Sequence, residues 1–353
     1  MLALQKTKPE FGLDLIQVEA PGAPSHDEVI VEVAAAGICG SDIHIYDWSD
    51  GYDFLKSAFP VTIGHEFAGK IDRTGVDVRT LHIGESVVVI PSVECGVCRY
   101  CVANRLDECR DRRGIGMMRH GGFARYVRVP AINCLPIPHD MDLGIAALCE
   151  PLSIGLSAID AGEVKAGDKI LVMGPGTIGQ GIALLAKQRG ADVVVAGYDD
   201  AARLSVLSEL GLEKVIDLKD GPLSRALILA ECSEFDVVIE ASGAASTVQA
   251  GLDVLRPSGI IVVCGIHAKP IEFDGAKLVR NRHQIRGTYR ASRVTWQKVR
   301  DFVVQHQITL APMITHRMPL ENALEGFEMA KKKIGSKILL MPTTALDSHR
   351  ADN

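Results

Sequence analysis

Four of the nine cysteines fall within fifteen residues, as Cys95-Gly-Val-Cys98-Arg-Tyr-Cys101 followed by Cys109. The spacing C-x2-C-x2-C-x7-C lets four thiolates fold around one tetrahedral ion, with Gly96 easing the turn between the first two. A site closed by four sulfurs leaves no position for a substrate, so its work is structural. An iron–sulfur cluster is the rival occupant, but the long last gap and the lack of a proline after Cys109 favour zinc. Cys134, Cys149, Cys232 and Cys264 lie in apolar strand- or helix-like surroundings and read as small packing residues. Cys39 differs, because the polar stretch Gly40-Ser41-Asp42-Ile43-His44 follows it directly after the strand-like Val29–Ala35, a setting that suits a ligand. Gly64-His65-Glu66 then joins an imidazole to a carboxylate. A single histidine among apolar residues is ordinarily a hydrogen-bonded structural group; in one chain with Cys39 and the four-thiolate loop it becomes a candidate metal ligand.

A second constellation is Gly174-Pro-Gly176-Thr177-Ile178-Gly179, placed between the apolar run Lys169–Met173 and a helical pattern. In that position the first glycine turns tightly and the second lets backbone approach a pyrophosphate. The third lets helix meet strand, and the helix N-terminus faces the anion. The plain alternative, a glycine-rich turn without ligand, loses to the strand–helix repeats downstream. The next strand ends in Ala196-Gly197-Tyr198-Asp199-Asp200, with Asp199 twenty residues after Gly179. Asp199 is the candidate partner of a ribose hydroxyl and favours NAD over NADP. Arg203 either meets a 2′-phosphate or lies on the helix surface.

Along the chain, residues 28–35 and 85–90 are short β runs, and everything up to about residue 150 reads as small-strand, barrel-like structure interrupted by the cysteine loop. Helical periodicity begins at Leu152–Gly162. Strands at Lys169–Met173, Asp192–Ala196, Phe235–Glu240 and Gly259–Cys264 then alternate with helices at Gly179–Gly190, Ala201–Leu210 and Ala245–Leu255. Five-residue apolar strands separated by helices predict a parallel, doubly wound sheet. The pattern turns irregular around residue 285, Trp296–His306 is an amphipathic helix, and the polar tail Thr343–Asn353 is expected to fray.

With 353 residues and 47% hydrophobic content the chain exceeds one ordinary core, so two domains are expected and wholesale disorder is excluded. A net charge of −6 gives no reason to expect nucleic acid or an anionic membrane as partner, and Arg110–Arg113 reads as a solvated loop. Neither a secretory leader nor a long uninterrupted apolar run is evident, so a cytoplasmic protein is expected.

Taken jointly, Gly37-Ile-Cys-Gly-Ser-Asp42, Gly64-His-Glu66, the Cys95–Cys109 loop, Glu150-Pro151 and Gly174–Gly179 resemble the zinc-dependent medium-chain alcohol dehydrogenase superfamily. The likeness runs from about residue 25 to 341 and is nearest the sorbitol-type polyol and threonine dehydrogenase branches. It implies an α/β architecture: a GroES-like β-barrel catalytic domain from residues 1–152 and 290–353, with a Rossmann domain of residues 153–289 inserted. It implies two zinc ions, one in the four-cysteine loop and one held by Cys39, His65 and Glu66, with Glu150 reaching the latter directly or through water. Ser41 and His44 match the relay that removes the hydroxyl proton. Arg290, in Gly287-Thr-Tyr-Arg290, matches an arginine that contacts substrate. Gly174, Gly176, Thr177, Ile178, Gly179, Asp199, Arg203, Ser242 and Gly265 are the expected cofactor contacts, although Tyr198 stands where these branches put their acid.

The expected reaction is hydride transfer from a secondary alcohol, a polyol or similar small polar compound, to NAD(P). His44-Ile-Tyr-Asp-Trp48 and Ile314-Thr-His-Arg317 look more like threonine dehydrogenases and keep oxidation of a 2-amino-3-hydroxy acid as the alternative. A non-catalytic binding module is the alternative of a different class, and it is expected to have lost Cys39, His65 or Glu66. A homotetramer or homodimer is expected, with the strand Gly259–Cys264 near the sheet edge used for dimer pairing.

Overall fold

The computed structural model describes residues 1–342; the expected fraying of Thr343–Asn353 falls outside the described residues. The chain divides into two compact units, Met1–Glu150 with the described residues from Trp296 onward, and Pro151–Thr295.

The first unit is built on a seven-stranded sheet around one long strand, Glu28–Gly37. It pairs antiparallel with Glu66–Thr74, with Tyr126–Pro130 and, at its far end, with Lys337–Met341. Val29, Val31 and Val33 alternate along it and enter the core with Phe67, Ile71, Val127, Val129 and Phe327, while Ile30 on the other face is buried as well. Register decides which residues meet at the strand end. Gly37 stands opposite both Glu66 and Leu339, so residues 39, 66 and 337 come to one place.

The second unit is a six-stranded, wholly parallel sheet. Its order is Val215–Asp217, Asp192–Gly197, Lys169–Met173, Phe235–Glu240, Leu255–Val263 and Gln284–Gly287, which is 3-2-1-4-5-6 in chain order. The order reverses between Lys169–Met173 and Phe235–Glu240, the switch point beside which doubly wound sheets bind nucleotides. Two strands escape the sequence pattern. Val215–Asp217 is too short to show a period, and Gln284–Gly287 occupies the stretch read as irregular. The latter is the sheet edge, so Gly259–Cys264 belongs to the penultimate strand.

The stretch Leu143–Ala161, 19 residues long, is apolar enough by mean hydropathy to cross a membrane, but 78% of it is buried inside the fold, as in a core helix. Asp142 caps its start, accepting from Gly144 N at 2.7 Å.

Candidate active site and metal centres

Cys39 caps the helix Gly40–Asp47, and its backbone N–H donates to Asp42 Oδ2 at 3.0 Å. That bond turns the chain off the strand and fixes where the thiol points. His65 and Glu66 arrive from the neighbouring strand through Gly64, whose φ of +95° and contact with the Phe123 ring exclude any side chain. Gly37 leaves the carboxylate its place, since a Cβ there would displace the Glu66 carboxylate. The result is a cluster in which the ligand atoms of Cys39, His65 and Glu66 all lie within 4.8 Å of one another. His65 and Glu66 are 7% and 1% exposed.

Around this cluster stand three further ionisable groups. Asp42, fully buried, lies 3.5 Å from His65 Nδ1, leaving Nε2 to face Cys39 and Ser41. Lys337 Nζ donates to the Ile38 carbonyl at 2.9 Å and to Glu66 Oε2. Glu150 is buried at the start of the helix Cys149–Ala161, and burial pushes its carboxyl up to about 7. Burial also raises the Cys39 thiol, aided by the Glu66 charge, while His65 is raised because Asp42 and Cys39 outweigh its own desolvation. Two soft or borderline donors and a carboxylate, largely buried and gathered on one point, suit a zinc ion with an open position. The Asp42–His65 contact is the carboxylate–histidine arrangement that orients a ligating imidazole.

The relay candidates split. Ser41 Oγ lies 3.5 Å from His65 Nε2, whereas His44 Nδ1 lies 3.3 Å from Ser49 Oγ and its ring stacks on Tyr52.

The four-cysteine loop has the metric of a zinc site. Four of its six sulfur–sulfur distances are 3.6, 3.6, 3.9 and 4.0 Å. A tetrahedral ion with Zn–S bonds of about 2.3 Å requires about 3.8 Å. The backbone N–H groups of Cys95 and Cys98 donate to the Cys109 and Cys95 sulfurs at 3.4 and 3.3 Å, the kind of bond that stabilises thiolates. Bonding from Cys101 N–H, foremost among several such donors, brings the Cys98 thiol down to about 6.

In the second unit the glycine loop is shaped for close backbone approach. Gly174 has φ +119°, and a Cβ on it would meet the Ala241–Ser242 peptide at 2.9 Å. A Cβ on Gly179 would strike the Gly174 carbonyl oxygen, while Gly176 caps the helix Thr177–Gln188 with only the Arg203 guanidinium near it. Ser242 and Gly265 are drawn together by a buried acid absent from the sequence-based candidates. Glu240 accepts from Ser242 N at 2.7 Å, Gly243 N at 2.8 Å and Thr247 Oγ1 at 3.1 Å, and its other oxygen lies 3.1 Å from His267 Nε2. Gly265 is tight against Gly243 and Glu240.

Asp199 adopts φ +48° and pairs with Lys219 at 2.8 Å, both groups well exposed. Arg203 is held by Asp200, its Nε 2.8 Å from each carboxylate oxygen. Arg290 has φ +70° and lies over the Tyr289 ring at 4.7 Å.

Comparison with known proteins matches these two halves separately. Residues 25–139 fit the alcohol dehydrogenase GroES-like domain and residues 177–305 the zinc-binding dehydrogenase domain. L-threonine 3-dehydrogenase of Rhizobium johnstonii is 35% identical over 342 residues, 96% of this chain and 98% of that protein. The chain belongs to the zinc-dependent medium-chain alcohol dehydrogenase superfamily. As a member it is an NAD(P)-dependent oxidoreductase that uses zinc. A second relative, L-threonine 3-dehydrogenase of Pectobacterium atrosepticum, is 31% identical over 99% of this chain and 96% of its own. Among solved structures, a zinc-binding dehydrogenase of Sinorhizobium meliloti 1021 with NADP bound superposes with TM-score 0.86 at 29% identity, covering 97% of this chain and 99% of that one. Galactitol-1-phosphate dehydrogenase of Escherichia coli superposes with TM-score 0.85 at 25% identity, covering 97% and 100%.

Asp42, Lys337, Glu240 and His267 are the residues of this dehydrogenase that sequence reading passed over. Asp42 lies inside the motif Gly37–Asp42, where Cys39 and Ser41 draw the eye first. Lys337 carries no local signal, because its partner Glu66 is 271 positions away.

Proposed function

We propose that this dehydrogenase oxidises a secondary alcohol in a small polar substrate of the polyol or sugar-alcohol class and passes the hydride to NAD. The observation that carries the reading is the donor set of half-buried Cys39 with buried His65 and Glu66, three ligands rather than four, with the acid Glu150 beside it. Those three residues would hold the catalytic ion, with Glu150 reaching it directly or through water, and the four cysteines a second, structural one. When bound, zinc supplies Lewis acidity to a substrate hydroxyl and nicotinamide supplies the hydride acceptor. Ser41 takes the hydroxyl proton as it gives up its own, and His44, held against Ser49, hands that proton towards solvent. Arg290 contacts the substrate's neighbouring polar group.

The loop Gly174–Gly179 carries the cofactor pyrophosphate, with Ser242 and Gly265 lining the nicotinamide end. Asp199 accepts from the ribose hydroxyls once it leaves Lys219. Arg203, its charge matched by Asp200, offers little to a 2′-phosphate, which supports NAD over NADP. The protein works in the cytoplasm as a homo-oligomer, a tetramer in preference to a dimer.

Oxidation of a 2-amino-3-hydroxy acid is the second reading, supported by relatives that are named L-threonine 3-dehydrogenase and match 96% of this chain. Initial rates of NAD and NADP reduction over polyols, sugar acids and L-threonine decide between them. A higher kcat/KM for a polyol with NAD sustains the first reading, and for L-threonine the second. No turnover of any of them by protein with both metal sites filled overturns both and leaves a binding module.

A further inference from the structure

We infer that Lys337 shares the Glu66 carboxylate with the catalytic zinc and thereby keeps that ion deliberately loose. Its side chain is 3% exposed, and its ammonium donates to the Ile38 carbonyl at 2.9 Å and to Glu66 Oε2, one of the three donors of the cluster Cys39, His65 and Glu66. A lysine so buried needs a reason, because burying a charge is costly unless it is paired. Its strand supplies the placement. Leu339 is opposite Gly37, so Lys337, two residues earlier, extends past the strand end on the Cys39 side. Gly37 leaves the room that the lysine stem and the carboxylate occupy together, a Cβ there lying 3.0 Å from Lys337 Cδ.

Charge counting gives the consequence. A Cys39 thiolate, a neutral His65 and a Glu66 carboxylate balance a divalent cation; the acids Asp42 and Glu150 lie around it, and Lys337 sets one positive charge against theirs. Lys337 acts in two ways on the metal. The ammonium repels the cation through a low-dielectric medium, and it stabilises Glu66 when the metal is gone. Both effects weaken binding at this site and at no other, since the four-cysteine loop holds thiolates alone. Asp42 and Glu150 are the other acids whose charges act on this cluster. Lys337 is thus a positioning residue, acting through Glu66.

The inference rests on the catalytic-zinc reading, and the experiment separates the two. Zinc release from the purified, zinc-loaded protein into excess chromophoric chelator is followed for the parent and its variants. The parent should show a fast fraction that His65→Ala lacks, and a slow fraction from the cysteine loop. Lys337→Met, which keeps the stem, and Lys337→Gln, which also keeps a donor for the Ile38 carbonyl, should slow the fast fraction at least tenfold. Lys337→Arg, which keeps the charge, should release zinc at nearly the parent rate. A merely structural lysine predicts the opposite sign, faster release or zinc lost on purification. Unchanged or faster release in both neutral variants overturns the inference alone, whereas absence of any fraction removed by His65→Ala overturns the zinc reading and the inference with it.

Discussion

Asp42 offers the clearest test of how the catalytic donor set is held. Its carboxylate has two tasks, accepting the Cys39 N–H through Oδ2 at 3.0 Å and facing His65 Nδ1 with Oδ1 at 3.5 Å. An aspartate performs both because it is an acceptor at both oxygens. Asp42→Asn has the same shape but one oxygen and one NH2 group, so it satisfies only one of the two. If its oxygen stays on Cys39, the amide donor meets the N–H that a metal-ligating His65 presents at Nδ1. If it flips, the Cys39 amide loses its acceptor and the turn before the helix Gly40–Asp47 loosens. Two full charges at this separation would interact by about 5 kcal/mol at an effective dielectric constant near 20, but the ligating imidazole is neutral and feels only part of it. The measured cost of removing such outer-shell partners, about 10–100-fold in metal affinity or about 1.4–2.8 kcal/mol, is the better guide. Dialysis against graded free zinc, followed by metal analysis, should show one zinc site weakened by that factor and the cysteine-loop site unmoved. Zinc content and affinity equal to the parent at both sites would refute the reasoning, because His65 would then need no acceptor at Nδ1.

Cys98→Ala removes one corner of the four-sulfur site and should lower both the melting temperature and the zinc content while leaving NADH binding measurable by fluorescence. Gly179→Ala drives a methyl into the Gly174 carbonyl, so the NADH dissociation constant should rise at least tenfold with the zinc content unchanged. Glu28 is lowered from its ordinary range despite burial because Arg119 and Arg128 pair with it, so its contribution is present at neutral pH and lost as pH falls through the lowered value. Glu28→Gln should therefore cost about 1 kcal/mol in urea unfolding at pH 7 and nothing in acid, after discounting for partial exposure. Light scattering should return a multiple of the 38.0 kDa chain mass, and a monomer at micromolar concentration contradicts the expected oligomer.

What could be read from the chain before its structure follows a physical division. The strands Lys169–Met173 and Phe235–Glu240 were legible to the residue, because a strand covered on both faces must be apolar along its middle. Gln284–Gly287 lies at the sheet edge and is mostly exposed, so hydrophobicity does not mark it. Lys337–Met341 joins the other sheet through a partner hundreds of residues away, carrying Ile314–Pro319 with it, and no local pattern announces such a pairing. The same division runs through the site. Thiolates and glycines declare themselves by spacing, since a metal or a tight turn imposes a fixed interval along the chain. Residues that hold those groups in place declare nothing, because their spacing is set in three dimensions. Lys337 opens a strand, Glu240 closes one, and each looks in sequence like an ordinary charged residue at a strand end. Burial is what sets them apart, since a charge taken out of water must be paired. The pairing then shows what each is for: Glu240 gathers the backbone of Ser242 and Gly243, and Lys337 grips the one carboxylate in the donor set. In such a chain the sequence names the groups that meet metal and cofactor, and the buried charges, visible only in the fold, show how tightly each is held.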